Sequence, residues 1–317
     1  IYLVPHMLPD IEDSSRDIYS FHLAGIVPVA GQKLDFQFPW HDCLMPIANN
    51  FLAVERAIEQ CAHAGCETIW IVAHREMQPI LRDRIGDWIY DYSSLRQAHF
   101  KKFSPDFVLR QIPIYYVPIH PKDRDKRDCL SWSVIYGSLR AFHISKMISS
   151  WVVPDKYFVS FPYGICNLQS IFESRSLISS PKNFYMTYNG KSVRDGEYLP
   201  FTFDKEDFKK FRHVLRSGTG VYTNAHFDQE TRRMTQIERL PHDQQYSARG
   251  FTLDKVFGCA TLEGNNVAEA AWYYNIDNWS RYLEFLCSPQ AKKLKRPKYF
   301  KYHEWNPVGV DKEDLGD

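Results

Sequence analysis

The 317-residue sequence lacks several features that would assign it to a functional class at once. Its formal net charge is only +1, which argues against a surface that binds polyanions in general. No uninterrupted apolar run approaches the ~18 residues that a membrane-spanning helix needs. The serine-hydrolase elbow G-x-S-x-G, the zinc-protease motif H-E-x-x-H and the P-loop G-x-x-x-x-G-K-[ST] are all missing. We therefore expect neither a membrane nor a nucleic acid as a partner.

Paired cysteines are missing as well. The seven cysteines are an odd number, they are scattered along the chain, and none belongs to a C-x-x-C pair. This pattern supports neither a zinc ribbon nor a disulfide framework. Most of them have apolar neighbours, so we expect small core residues and a reducing, cytoplasmic compartment.

Apolar and aromatic residues are plentiful, at 44% and 15% of the chain. The length allows one large α/β domain or two small ones. The sequence has no internal repeat and no low-complexity linker. We therefore predict one domain over residues 21–287, with an N-terminal arm over 1–20 and a charged tail over 288–317.

Continuous apolar runs predict strands that are buried on both faces, at 23–29, 68–73, 112–119 and 156–161. Apolar residues at helical spacing alternate with these runs, at 49–64, 77–92 and 130–148. Asn49 or Asn50 is the predicted cap of the first helix, and Gly65 its end. The alternation predicts an α/β fold with a Rossmann-like, doubly wound, mostly parallel sheet, whose ligand site lies at the carboxyl ends of the strands.

The second half of the chain predicts a mixed extension of the same sheet. Its predicted strands lie at 183–189, 220–224 and 270–276, and its predicted helices at 204–215 and 278–286.

The turn after the first predicted strand suits an anion. Gly25 and Gly31 bracket the end of the strand, and glycine lets a backbone approach a phosphate without a Cβ clash. Lys33 adds a cation close to exposed backbone N–H groups. We therefore predict nucleotide binding at Ala30, Gly31, Gln32 and Lys33.

Four stretches extend this signal along the chain. They are Gly-Gln-Lys-Leu at 31–34, Leu-Met-Pro-Ile at 44–47, the segment 132–139 and the segment 274–282. In this order they resemble four elements of the sugar-phosphate nucleotidyltransferases, which include the sugar-nucleotide pyrophosphorylases and cytidylyltransferases. Those elements are G-T-R-L, Leu-Leu-Pro-Ile, the helix beside the nucleobase and a late Asp-Ile-Gly/Asp-Thr…Tyr element.

The likeness runs over residues 22–285. It implies a GT-A-like fold, a nucleotide or nucleotide sugar as ligand, and Mg²⁺ as cofactor. It also implies base contacts from Ser133 and Gly137 in the helix beside the nucleobase, although Ser133 equally suits a helix cap.

The sequence departs from the family where the chemistry is expected. His41 and Asp42 occupy the place of a Pro-Lys pair, the segment 156–164 ends without the metal-binding aspartate, and Asn275 replaces the first late acid. Asp277 then remains as the predicted metal ligand, alone or with Asp42, although it suits a cap of the helix at 278 even better. Nucleotidyl transfer depends on positioning and charge neutralisation, and these changes remove several of the usual groups.

Cations elsewhere are candidates to replace the missing lysine. Lys33, Arg124 and Arg127 are the predicted catalytic residues, because the run 120–128 follows the third strand and is expected as a solvated loop over the pocket. The same run contains Asp123-Arg124-Asp125, a D-x-D match, although it follows the third strand and not the fourth.

Three functions remain open at this point. The first is a divergent nucleotidyltransferase that transfers a nucleotidyl group from an NTP to a sugar phosphate or a similar acceptor. The second is an inactive relative that binds a nucleotide or nucleotide sugar, or that serves in assembly, with the Tyr- and Phe-rich basic segment 291–305 binding a protein partner or a second copy. The third is a glycosyltransferase that uses a nucleotide sugar.

Overall fold

The computed structural model describes residues 21–32, 37–91, 110–221, 227–228, 233–234, 237–241, 245 and 247–297. These residues form the strands β1 (Leu23–Pro28), β2 (Pro46–Ala48), β3 (Phe51–Leu52), β4 (Thr68–Ala73), β5 (Trp88–Tyr90), β6 (Gln111–Pro118), β7 (Lys156–Val159), β8 (Gly164–Cys166), β9 (Phe184–Thr187), β10 (Phe201–Phe203), β11 (Phe227–Asp228), β12 (Arg233–Met234), β13 (Asn266–Glu269) and β14 (Tyr273–Asn275).

The helices of the described residues are α1 (Ala53–Ala64), α2 (Gln78–Ile85), α3 (Pro121–Arg127), α4 (Leu130–Ile148), α5 (Leu168–Glu173), α6 (Arg175–Ile178), α7 (Lys205–Ser217), α8 (Leu253–Phe257), α9 (Trp279–Cys287) and α10 (Pro289–Lys293). None of them is long and apolar enough to cross a membrane.

Eight strands form the central sheet, in the order β13-β9-β10-β7-β1-β4-β6-β5. The four strands at its centre, β7, β1, β4 and β6, run parallel. The β5 strand is antiparallel at one edge, and β10 is antiparallel to both of its neighbours on the other side. This confirms the predicted α/β fold with its mostly parallel sheet and mixed extension.

The inner strands are held by apolar side chains on both faces. Every residue of β1 is buried, and β1 pairs with β4 in the register Val27 opposite Ile71. The long helix α4 lies against these two strands at Gly137. A Cβ added to Gly137 would lie 2.6 Å from Val72 Cγ2 and 3.1 Å from Ile26 Cγ2, so the close packing of helix on sheet requires a glycine there.

Two predicted boundaries in the first half are wrong for reasons of local backbone chemistry. The helix predicted over 77–92 ends at Ile85, because Gly86 adopts a φ of 86° and the chain turns into the edge strand β5. The first helix begins at Ala53, after Leu52 and not after an asparagine. The carboxylate of Glu55 accepts the N–H of Leu52 at 2.8 Å, which caps the helix from inside its first turn.

Two further predictions need correction. The run 120–128 is not a loop, since residues 121–127 form α3, with Pro121 at its start and the His120 imidazole accepting the N–H of Lys122. The predicted strand 270–276 is shortened to β14, which pairs with β8 in a separate two-stranded sheet. The predicted arm 1–20, residues 222–224 of another predicted strand, and the tail beyond 297 lie outside the described residues.

All seven cysteines are described, and all are free thiols. Five of them are buried, while Cys259 and Cys287 are exposed.

Candidate functional site at the carboxyl edge of the sheet

The turn after β1 is bound firmly to its surroundings. The N–H groups of Val29 and Ala30 both donate to the carbonyl of Val72, at 2.8 and 3.0 Å. The hydroxyl of Ser133, at the start of α4, donates to the carbonyl of Ala30. The predicted nucleotide-binding residues Ala30, Gly31 and Ser133 therefore lie together, but the Ala30 N–H and the Ser133 hydroxyl already hold this turn against the sheet and α4.

Gly31 occupies the tightest point of the turn. Its φ is 84°, and a Cβ there would lie 2.4 Å from the backbone carbon of Cys129, directly before α4. This close approach explains the glycine by packing alone. Gly137 lies four residues after Ser133 in α4, where it packs against Val72 and Ile26 of the sheet.

Gln32 follows the turn and reaches across to a residue far along the chain. Its amide nitrogen donates to the hydroxyl of Tyr198 at 3.1 Å. The ring of Tyr198 in turn meets those of Phe161 and Tyr163 edge-on, at centroid distances of 5.7 and 5.6 Å. Lys33, the predicted cation of the loop, lies outside the described residues.

The end of β7 carries structural hydrogen bonds where the resemblance implies a metal-binding carboxylate. The hydroxyl of Ser160 donates to the amide oxygen of Gln60 in α1 at 2.6 Å. The hydroxyl of Tyr163 donates to the carbonyl of Val29 at 2.9 Å, and this tyrosine is fully buried. The carboxyl end of β7 is therefore filled by side chains that fix α1 and the turn after β1.

Asp42 lies close to Tyr163, in the short 3₁₀ turn Asp42–Leu44. It is only 1% exposed. Its Oδ1 accepts the N–H of Cys43 at 2.9 Å and lies 3.1 Å from Nδ1 of His41. Its Oδ2 is buried and has no hydrogen-bond partner among the described residues. A carboxylate thus stands where the resemblance implies a lysine.

Arg124 lies on α3 and is engaged by residues that follow β4. Its guanidinium donates to both carboxylate oxygens of Glu76, and its Nε donates to Nδ1 of His74 at 3.1 Å. This ion pair lowers the pKa of Glu76 to about 2. Burial lowers the pKa of His74, so this imidazole accepts from Arg124 in its neutral form, with Nε2 facing Asp128 at 3.5 Å.

Arg127, the other predicted arginine, packs on an aromatic ring. Its guanidinium carbon lies 4.5 Å from the centre of the Trp132 ring, and its NH1 lies 3.7 Å from Asp123. A stacked arginine of this kind is stabilised by the ring and by the neighbouring acid. The structure thus brings Arg124 and Arg127 onto one short helix at the edge of the sheet, each with a partner of its own.

Asp277, the predicted metal ligand, is held by a cation. Its Oδ1 accepts from Arg281 NH1 and from the amide of Asn278, both at 2.9 Å. No group of three or more His, Cys, Asp and Glu side chains within the described ranges could hold a metal ion. Magnesium requires oxygen ligands in near-octahedral geometry, and an oxygen already bound to a guanidinium is a poor donor. The described residues therefore do not fit a magnesium ion at Asp277.

The architecture of this edge can be compared with that of solved structures. A putative glucose-1-phosphate thymidylyltransferase from Bacillus anthracis, solved in complex with a sucrose, superposes with a TM-score of 0.52. The match covers 88% of this chain and 98% of that one, at 9% sequence identity. This is the nucleotidyltransferase-like α/β fold.

A match to an apo UDP-glucose pyrophosphorylase covers 86% of this chain and 100% of that one, with a TM-score of 0.48 at 11% identity. No protein-family model and no curated protein matches the sequence. At 9% identity the likeness to the thymidylyltransferase structure shows the fold and nothing finer.

Several residues of this edge were not predicted from the sequence. They are Gln60, His74, Glu76, Tyr163 and Tyr198. His74 and Glu76 directly follow the predicted strand 68–73, so their place at the carboxyl edge was a usable signal. Tyr198 gave no such signal, because it lies 166 residues from Gln32, its partner.

The first part of the predicted tail lies against the domain. The α10 helix contacts β2, and Tyr274 donates to the side chain of Gln290 at 3.1 Å. Farther on, Arg296 NH2 lies 3.7 Å from Glu55, a fully buried acid that Arg84 also contacts at 3.0 Å. The carboxylate of Glu55 in α1 thus binds both Arg84 of α2 and Arg296 of the described segment 288–297.

Proposed function

We propose that this chain binds a nucleotide or a nucleotide sugar at the carboxyl edge of its sheet and does not carry out metal-assisted nucleotidyl transfer. The observation that carries the proposal is Asp42. It is a buried carboxylate at the position where the likeness to the family implies a lysine that neutralises the transferring phosphoryl group. A negative charge there raises the energy of the transition state that the lysine would lower.

The other charges of the edge support the same conclusion. Arg124 is bound to Glu76, and Arg281 is bound to Asp277, so neither pair offers net positive charge. Phosphoryl-transfer sites use such cations, with Mg²⁺, to balance the charge that develops on the phosphate oxygens.

Ligand binding is supported by the architecture. Ligands of open α/β sheets bind outside the carboxyl ends of the parallel strands, and the turn 29–32 follows β1 at that edge, with Tyr198 and Asp277 close to it. One structure with this fold is named as a putative glucose-1-phosphate thymidylyltransferase. We take a nucleotide or nucleotide sugar as the ligand from this name and from the sequence resemblance.

The test combines a thermal-shift panel with a turnover assay. The panel contains the five common NTPs and their nucleotide sugars, with and without Mg²⁺, and the assay measures pyrophosphate release from each NTP with glucose 1-phosphate as acceptor. A ligand at 100 times its Kd stabilises the native state by about 2.7 kcal/mol, a shift of roughly 4 °C for a chain of this size. We expect one nucleobase to give such a shift, and no pyrophosphate release.

Lys33→Ala tests whether the predicted loop cation contributes to binding, with the exposed Lys191→Ala as its matched control. The shift should shrink in the first variant and persist in the second. Pyrophosphate release that requires Mg²⁺ would refute the proposal and would support an active nucleotidyltransferase. A panel without any shift would refute nucleotide binding and leave assembly as the function.

A further inference from the structure

Asp42 presents an unused acceptor. Within the described residues, its Oδ2 is the only buried carboxylate oxygen without a hydrogen-bond partner. The other oxygen accepts the N–H of Cys43 at 2.9 Å. A buried acceptor that lacks a donor costs free energy, and a ligand that brings an O–H or N–H group to it removes that cost.

The surroundings of Asp42 disfavour a phosphate. Burial raises the pKa of the Tyr198 hydroxyl to about 12; the hydrogen bond from Gln32 opposes this rise, while the nearby carboxylates of Asp277 and Asp42 add to it. Arg281 is the cation close to this hydroxyl, and its guanidinium is bound to Asp277. Among the described residues, Tyr198 and Gln32 therefore offer neutral hydrogen-bonding groups close to two acids and one arginine that is already paired.

An exposed aromatic side chain precedes Asp42 in the sequence. Trp40 lies two residues before Asp42 and exposes 52% of its surface. The loop that carries it is fixed by Phe38, whose ring meets those of Trp279 and Tyr282 edge-on at 5.8 and 6.0 Å. An exposed indole two residues from a carboxylate can pack on the apolar face of a hydroxylated ring while the carboxylate binds one of its hydroxyls.

We propose that Asp42 receives a sugar hydroxyl of the ligand and rejects a phosphate, so that the site selects nucleotide sugars over nucleoside triphosphates. The hydroxyl donates to Oδ2 in a charge-assisted hydrogen bond, which is among the stronger bonds that a neutral group can form. A terminal phosphate at the same place meets the carboxylate charge at close range, which costs at least about tenfold in affinity. This inference rests on the proposed function and names the ligand class of that site.

The experiment compares matched ligands on two variants. Isothermal titration calorimetry gives Kd for UTP and UDP-glucose, dTTP and dTDP-glucose, ATP and ADP-glucose, CTP and CDP-glucose, and GTP and GDP-mannose. Asp42→Asn keeps an oxygen for the N–H of Cys43 and removes the charge. Glu173→Gln removes an exposed acid whose partner is Gln169, and it controls for net charge.

For the pair with the correct nucleobase, we expect the nucleotide sugar to bind at least tenfold more tightly than the triphosphate. The ratio of the triphosphate Kd to the nucleotide-sugar Kd should fall toward one in Asp42→Asn and should keep its wild-type value in Glu173→Gln. A triphosphate that binds wild type as tightly as the nucleotide sugar overturns the inference, and so does a preference that Asp42→Asn leaves unchanged. In both cases nucleotide binding itself stands, whereas binding of no ligand in any pair removes the proposed function as well.

A second variant covers the case in which Asp42→Asn does not fold. Asp42→Ser keeps an oxygen that can accept the N–H of Cys43 and also removes the charge, so it should narrow the preference for the nucleotide sugar in the same way. An unchanged ratio in this variant overturns the inference.

Discussion

His63 should make the stability of this protein depend on pH. It lies in α1 with 6% of its surface exposed, and its ring meets that of Phe172 edge-on at a centroid distance of 6.3 Å. Burial lowers the pKa of its imidazole to about 3, and the positive charges of Arg56 and Arg175 add to the effect. An unfolded chain has a histidine pKa of about 6.5.

The sign of the dependence follows from proton binding. Between pH 6.5 and pH 3 the unfolded chain binds a proton at His63 that the folded chain excludes. The contribution to stability is therefore present in full above about pH 6.5 and is lost progressively as the pH falls toward 3. Each pH unit is worth about 1.4 kcal/mol, so this one group accounts for a loss of about 2 kcal/mol between pH 7 and pH 5.

Urea unfolding at pH 7 and pH 5 measures this loss, with His63→Gln as the variant that cannot titrate. We expect wild type to lose about 2 kcal/mol more free energy of unfolding than the variant over this range, because the other titrating groups are shared and cancel. The exposed His143→Gln should behave like wild type. Equal losses in wild type and His63→Gln would show that the folded protein accommodates the protonated imidazole, and the reasoning from burial would be wrong.

Two further predictions concern the backbone. Gly31→Ala should cost about 3 kcal/mol of stability, because the residue has positive φ and its new Cβ meets the backbone of Cys129. Gly190→Ala, where φ is 72° and nothing lies within 4 Å, should cost only about 1 kcal/mol, and equal losses in urea unfolding would exclude the clash as the cause. Lys156→Met should cost about 3 kcal/mol, since the ammonium donates to three backbone carbonyls at 3.1, 2.9 and 2.6 Å, and the exposed Lys191→Met is the control. A Lys156 variant as stable as this control would show that water replaces the lysine.

Long, uniform patterns made much of the fold predictable. The helix over 130–148 and the strand over 68–73 have the predicted bounds, because an unbroken apolar pattern leaves few other ways to bury those side chains. The errors fall where one residue changes the local backbone. Gly86 ends a helix whose apolar spacing continues beyond it, and His120 with Pro121 starts a helix in a run of charges that was predicted as a loop.

The site was less predictable than the fold, because its contacts join distant parts of the chain. The sequence places Ala30 and Gly31 after β1. It does not indicate that the hydroxyl of Tyr163 donates to the carbonyl of Val29, 134 residues away. The sequence also does not indicate which acid neutralises each predicted cation. Arg124 is predicted as a cation for phosphate, and its pairing with Glu76 depends on how α3 packs beside the end of β4.

The contact between Arg296 and Glu55 bears on how the chain can be shortened or labelled. Glu55 is fully buried and shares its charge between two arginines, one on α2 and one near the end of the described chain. A truncation before residue 296 would leave the Glu55 carboxylate with only one of its two arginines, Arg84. Glu55 lies in α1, the helix whose Gln60 accepts the hydroxyl of Ser160 at the end of β7. A fluorophore or an affinity tag belongs after residue 297, where its attachment leaves this buried ion pair closed.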